Sequence, residues 1–204
     1  MENIQNKSTR EIRSARTRQS ILDSGLALLK TEGFENISLR AIARKINYSA
    51  AALYEYFNNK EDLLAAMTEI ISNQLTREMK VRLDGISDPE EQLLQAGLAV
   101  INFALNHPNY YALFSSQPFS PGLYSSENGC DGSSFNIITD IIHKGLKEGF
   151  IQNPNQLSVE EFGLILWGVV HGLASLQNTA LKNAQIDQEK INREALMILI
   201  RGLV

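Results

Sequence analysis

The segment Ser38–Lys60, S-L-R-A-I-A-R-K-I-N-Y-S-A-A-A-L-Y-E-Y-F-N-N-K, restricts the fold of this chain more than any other. Ser38 suits the N-cap of a helix starting at Leu39, because its hydroxyl can accept from an unpaired N–H of the first turn. Leu39, Ile42, Ala43 and Ile46 then recur at helical spacing and form one apolar stripe, with Arg40, Arg44 and Lys45 left to solvent. Asn47 falls where the chain must turn, and asparagine tolerates left-handed backbone better than most residues. Ser49 can cap a second helix anchored inward by Leu53 and Phe57. The result is a helix-turn-helix shape. Ala50, Ala51 and Ala52 leave the opening turn of the second helix nearly bare, so its backbone can come close to base edges and phosphates in a major groove. A plain helical hairpin with solvated charges would show the same spacing.

The preceding residues favour the first alternative. Arg16 to Leu29 reads as an amphipathic helix with Ile21, Leu22, Leu26 and Leu29 on one face, stopped at Gly33-Phe34. Three helices would make the trihelical unit on which a recognition helix is usually presented. A basic arm leads into it: Lys7, Arg10, Arg13, Arg16 and Arg18, against Glu2 and Glu11. The whole chain has a formal net charge of -4, not the basic balance of a dedicated nucleic-acid module. The charge is segregated, however. Residues 1–60 hold ten Lys/Arg and six Asp/Glu, a net +4, whereas the remainder holds nine and seventeen, a net -8. A basic head on an acidic body fits a protein whose two ends do different work.

Taken together, R-x-x-I-L-x-x-x-L-x-L-L-x-x-x-G-F, S-L-R-x-I-A and S-x-x-x-L-Y-x-Y-F-x-x-K resemble the N-terminal domain of TetR-family transcriptional regulators, over about Arg16 to Leu64. W-G-V-V-H-G, from Trp167, resembles the W-x-x-x-H-G signature in the C-terminal domain of one TetR subgroup. The resemblance implies an all-α, homodimeric repressor with a DNA-binding domain over residues 1–59 and a ligand-binding and dimerisation domain over 60–204. It implies DNA-backbone contacts at Ser38, Leu39 and Arg40, a groove-facing helix start at Ser49, Ala50, Ala51 and Ala52, and phosphate contacts at Tyr54, Tyr56 and Lys60. The chain departs from the family in having Asn47-Tyr48 where Gly and a β-branched residue are usual, and Tyr56 where His is frequent. Tyrosine hydroxyls and a lysine ammonium suit phosphate oxygens, which set register, and alanine methyls suit a thymine methyl.

The rest of the chain reads as helical throughout, about nine helices and no strand. Lys60 opens a long helix to about Leu83, ending near Gly85, which would join head to body. Asp88-Pro89 caps the next, to Asn106, and H-P-N-Y-Y-A-L-F suggests a shorter one. Ser115 to Gly132 is rich in Pro, Gly and Ser and reads as a long loop, its Phe119, Leu123 and Tyr124 either anchors on the body or parts of a lid over a cavity. Helices follow over about 134–149, from Ser158 and from Asp187. The helix around Trp167 and the last helix carry more apolar surface than one small body needs, so a two-fold dimer through a four-helix bundle is expected. Such a dimer would place two recognition helices about 34–36 Å apart on a pseudo-palindromic operator.

Candidate walls for a small apolar or aromatic effector are Met67, Ile71, Phe103, Tyr110, Tyr111, Phe114, Phe135, Trp167 and His171, most of them equally good core residues. A DNA-bound architectural or protein-controlled module without effector is the alternative. An enzyme is not expected: H-E-x-x-H, a P-loop, G-x-S-x-G and a Rossmann fingerprint are missing. Asp140 and His143 make a possible metal pair without further ligands at matching spacing, so neither metal nor cofactor is expected. The single cysteine, Cys130, cannot form an intramolecular disulfide. The N-terminus has no apolar signal region, and the longest apolar run, Gly163 to Leu176, spans only about 14 residues and holds His171. These readings place the protein in the cytoplasm, with no membrane partner.

Overall fold

In the computed structural model, which describes residues 8–117, 133–153 and 156–203, the protein is all-α. Nine α-helices and one 3₁₀ turn are present among the described residues, without a strand. The chain divides into two compact units, Met1–Ile70 with Ala112–Gln117 and Ile71–Tyr111 with Pro118–Val204.

The first unit starts with α1 (Thr9–Glu32). This helix begins well before Arg16, and its cause is local. Ser8 accepts from Glu11 N at 3.2 Å, and the Glu11 carboxylate accepts from Ser8 N at 2.7 Å, a complete capping box. The arginines expected on an arm therefore ride on a helix: Arg10, Arg13, Arg16 and Arg18 all lie within α1. Lys7 lies outside the described residues. The buried face of α1 starts only at Ile21 and continues through Leu22, Gly25, Leu28 and Leu29. Gly33, at φ 78°, ends it, and Phe34–Asn36 forms the 3₁₀ turn leading to α2 (Leu39–Lys45) and α3 (Ala50–Leu53). Gly25 allows a close approach, since a Cβ there would lie 3.0 Å from Met67 Sδ and 3.3 Å from Ile42 Cδ1. Ile21, Leu29, Ile42, Leu53, Phe57, Leu63 and Met67 have almost no exposure and form the core.

A long helix, α4 (Lys60–Leu83), supplies residues to both units, as does α6 (Pro108–Ser116). Ser115 and Ser116, expected in a loop, are helical, with their hydroxyls bonded to Ala112 O and Leu113 O at 3.4 and 2.8 Å. Phe119, Leu123, Tyr124 and Cys130 lie outside the described residues.

The second unit is built around α5 (Pro89–Asn106), which packs against α7 (Ser134–Glu148), α8 (Val159–Asn178) and α9 (Gln188–Leu203). Asp88 caps α5 by accepting from Glu91 N at 2.9 Å, with Pro89 in the first turn. Glycines set the closest approaches. A Cβ on Gly97 would sit 2.9 Å from Leu196 Cδ1, and one on Gly163 would sit 3.2 Å from the Phe135 ring. The α8–α9 contact buries a reciprocal amide pair, Gln177 with Asn192, in which each side chain donates to the other. Burying two amides is tolerable because they satisfy each other.

By length and composition α8 is apolar enough to cross a membrane, with a mean hydropathy of 1.3. The sequence run Gly163–Leu176 understated it, because the helix also takes in Val159–Phe162 and Gln177–Asn178. It packs on α5, α7 and α9, yet most of it stays unburied. Leu164, Ile165 and Leu176 remain exposed.

Candidate nucleic-acid interface

The two short helices of the first unit are positioned by their caps. Ser38 accepts from Ala41 N at 3.1 Å and Ser49 from Ala52 N at 3.1 Å. Between them Asn47 takes φ 57°, and Tyr48 N donates back to Ala43 O at 2.9 Å, which closes the turn. Leu39, Ile42, Ala43 and Leu53 point inward, so register forces Arg40, Arg44 and Lys45 outward. Ala50 and Ala52 are half-buried and Ala51 is exposed at the start of α3. Beyond Leu53 the chain leaves regular helix, with Tyr56 N and Phe57 N both donating to Leu53 O at 3.0 Å.

Tyr54 is 54% exposed, whereas Tyr56 is half-buried. Lys60, also half-buried, sits in the first turn of α4, and that turn is fixed by two side chains. Asn59 Oδ1 accepts from Asp62 N at 2.7 Å, and Asp62 Oδ2 accepts from Asn58 N at 3.0 Å. This N-x-x-D box was legible in the sequence and passed unread. Two further groups were missed. The Arg18 guanidinium lies 4.9 Å from the centroid of the Phe57 ring, a cation–π contact that pins α1 beside the Tyr54–Lys60 segment. Tyr48, 47% exposed, adds a third tyrosine to the same short segment. The first unit thus brings Arg40, Ser49, Ala51, Tyr54 and Lys60 together within one capped, compact motif. Ser38 and Leu39 serve it structurally, Ser38 as a cap and Leu39 as core.

The residues expected to face an effector separate into groups. Met67 and Phe114 belong to the first unit, where Met67 packs against Gly25. The others belong to the second unit, and Ile71 is fully buried there. The Tyr111 hydroxyl shares a hydrogen bond with His171 Nδ1 at 3.1 Å, and the Trp167 ring lies 5.9 Å from that of His171. Burial pushes the Tyr111 phenol well above its ordinary value, so it stays protonated. A second run of rings goes Phe103–His107–Tyr110, with centroids 4.9 Å apart in a tilted pair and 5.8 Å apart in a stacked one, and His107 Nε2 lies 3.8 Å from a Glu78 carboxylate oxygen. His107 and Glu78 were not among the expected residues. Phe135 packs against Gly163. Asp140 and His143 are both exposed, and among the described residues no three His, Cys, Asp or Glu side chains gather as a metal would need.

Residues 21–67 match the family described as bacterial regulatory proteins, tetR family, and residues 93–196 match the tetracyclin repressor-like C-terminal domain. An HTH-type transcriptional regulator of Mycobacterium tuberculosis is 23% identical over 190 residues, which cover 92% of this chain and 81% of that protein. Among solved structures, a protein of unknown function from Rhodococcus sp. RHA1 superposes with a TM-score of 0.75 at 22% identity, covering 100% of this chain and 99% of the other. The transcriptional regulator FadR from Bacillus subtilis, in complex with stearoyl-CoA, gives 0.67 at 18% identity, covering 91% and 99%.

Proposed function

The chain belongs to the TetR family of transcriptional regulators, and from that membership we propose that it is a dimeric repressor, released from a pseudo-palindromic operator by a small apolar or aromatic ligand. It is a DNA-binding helix-turn-helix protein and not an enzyme. Residues 1–59 are assigned to DNA and 60–204 to ligand and dimer contacts, with α4 opening the second segment at Lys60.

The capped Ser38–Lys60 motif carries the DNA reading. Ser49 fixes the start of α3, the alanine turn allows close backbone approach, and Tyr54, Tyr56 and Lys60 supply phosphate contacts. Arg40 serves the backbone as well. Alanines offer few polar base readers, so sequence preference rests on methyl contacts and on DNA shape. The test is a gel-shift titration on a duplex selected by the protein from a random library. Tyr54→Phe with Lys60→Ala should weaken binding and lower the salt slope by about 1 per protomer. An unchanged affinity and slope would remove these residues from the interface.

The effector reading rests on the aromatic cluster Tyr111–His171–Trp167, a polar bond set among apolar rings. The stearoyl-CoA bound to the Bacillus subtilis relative, with its long apolar chain, is consistent with such a wall. Trp167 is the only tryptophan, so its emission reports on this cluster. Ligand must bind the DNA-incompetent state more tightly to act as a switch. An acyl chain or aromatic compound that shifts Trp167 emission should also release the duplex at the same concentration. A compound that shifts emission and leaves the complex intact would argue against the switch.

A further inference from the structure

The first three turns of α1 have no hydrophobic partner. From Thr9 to Ser20 the helix contributes no buried residue, and its core face starts at Ile21. Twelve residues of helix amount to about 18 Å of rod. This stretch lies outside the residues that match the family, which begin at 21. Even Ile12, its one large apolar residue, is exposed, and a helix that buries nothing has little tertiary reason to persist. Its order comes from the Ser8–Glu11 capping box and from Thr17, whose hydroxyl donates to Arg13 O at 3.1 Å.

The charges on it are arranged against its own stability. Arg10, Arg13 and Arg16 follow at i, i+3 and i+6, which places all three within about 120° of arc. Like charges at this spacing repel. Glu11 is engaged at the cap, and Asp23 accepts from Gln19 at 2.8 Å. Among the described residues no salt bridge involves these arginines. Arg18 stands apart on another face, over Phe57, and that contact joins the base of the rod to the Tyr54–Lys60 segment.

We propose that α1 is a second DNA-binding element, in which Arg10, Arg13 and Arg16 hold phosphates flanking the groove occupied by α3. The occupant is the duplex backbone, because a row of unpaired guanidiniums on a partnerless helix, rooted beside the phosphate-facing segment, is complementary to a line of phosphates. The inference rests on the DNA-binding reading above and extends the footprint beyond the helix-turn-helix. The contacts are to backbone, so they add affinity and register without selecting sequence.

The test uses the full-length protein and a long duplex that the wild type selects from a random library. Arg10, Arg13 and Arg16 are changed together to Gln, and in a second variant together to Lys; both residues keep helix propensity close to that of Arg. Binding is measured across a NaCl series, and hydroxyl-radical footprints are taken at saturation. The Gln variant should lower the slope of log Kd against log salt by about 2.7 per protomer, three phosphates at about 0.9 each. It should also lose protection at the outer edges of the footprint while the inner protection stays. The Lys variant should keep most of the slope. Equal slopes and footprints for wild type and Gln variant overturn the proposal and leave the helix-turn-helix reading standing. Should the Gln variant lose far-UV helical signal, the Lys variant decides: a retained slope supports the phosphate role, and a slope as low as the Gln variant's overturns it. A wild type that selects no duplex overturns both readings.

Discussion

Two residues show how single side chains hold the molecule's working parts in place. Asn47 occupies φ 57° at the turn between α2 and α3. Left-handed backbone costs a residue with an ordinary Cβ about 1–2 kcal/mol, and Gly escapes that cost. Asn47→Val should therefore lower the urea midpoint by a corresponding amount, and Asn47→Gly should leave it close to wild type. An Asn47→Val protein of unchanged midpoint would mean that the turn relaxes. Tyr111 makes a different kind of contribution. Its phenol is buried and bonded to His171, and burial raises its ionisation above the ordinary value of about 10. A folded-state value above the unfolded one means stability that is complete below pH ~10 and is lost as pH rises past it toward the folded-state value. Stability measured from pH 8 upward should fall for the wild type once the unfolded phenol ionises. Tyr111→Phe should fall less steeply over the same range, after starting about 1 kcal/mol lower for the lost hydrogen bond. Parallel curves would show that another group controls the alkaline limit. The Tyr111–His171 bond had no signature in the sequence, because its partners are 60 residues apart and each alone looks like core.

At the scale of elements, helix ends were the most legible feature and helix surfaces the least. Ser38, Ser49, Asp88 and Ser158 each cap the helix expected of them, because an N-cap is decided by a side chain and a backbone within three residues. The same rule would have found the start of α1. Ser8-x-x-Glu11 is a capping box, but the arginines after it read as a basic arm ahead of a helix from Arg16. What local rules cannot supply is which apolar residue meets which. Met67 packs on Gly25, a contact across 42 positions that only the tertiary fold decides. Gly97 shows the same limit on α5. A Cβ at Gly97 would lie 2.9 and 3.1 Å from the two methyls of Leu196, which is itself fully buried and has little room to move. Gly97→Ala improves helix propensity by about 1 kcal/mol but forces overpacking of about 1–3 kcal/mol, so net destabilisation is expected. Leu196→Val in the same chain should recover part of it, giving a favourable coupling term in a double-mutant cycle. Strict additivity of the two substitutions would place the strain elsewhere.

For the whole molecule the open question is what covers the apolar surface of α8 and α9. Leu164, Ile165 and Leu176 on α8 are exposed, as are Ile191 and Ile198 on α9, the last at 73%. Scattered apolar residues need no explanation, but two adjacent helices carrying them together do. The Gln177–Asn192 pair ties these two helices to each other. A two-fold partner presenting the same surface would bury it as a four-helix bundle. A membrane is the competing cover for α8, yet α8 opens with Glu160 and Glu161 and packs on three neighbours of its own unit. Ile198→Glu separates these cases. A carboxylate buried in a dimer interface without a partner is costly, so the variant should run as a monomer in sedimentation at micromolar concentration, where the wild type should run as a dimer. Helical content should persist, since position 198 is exposed within its own chain. Operator binding should fall at least tenfold, because each head would then engage one half-site alone and lose the effective concentration its mate supplies. A wild type that sediments as a monomer would remove the dimer, and a variant that stays dimeric would move the interface off α9.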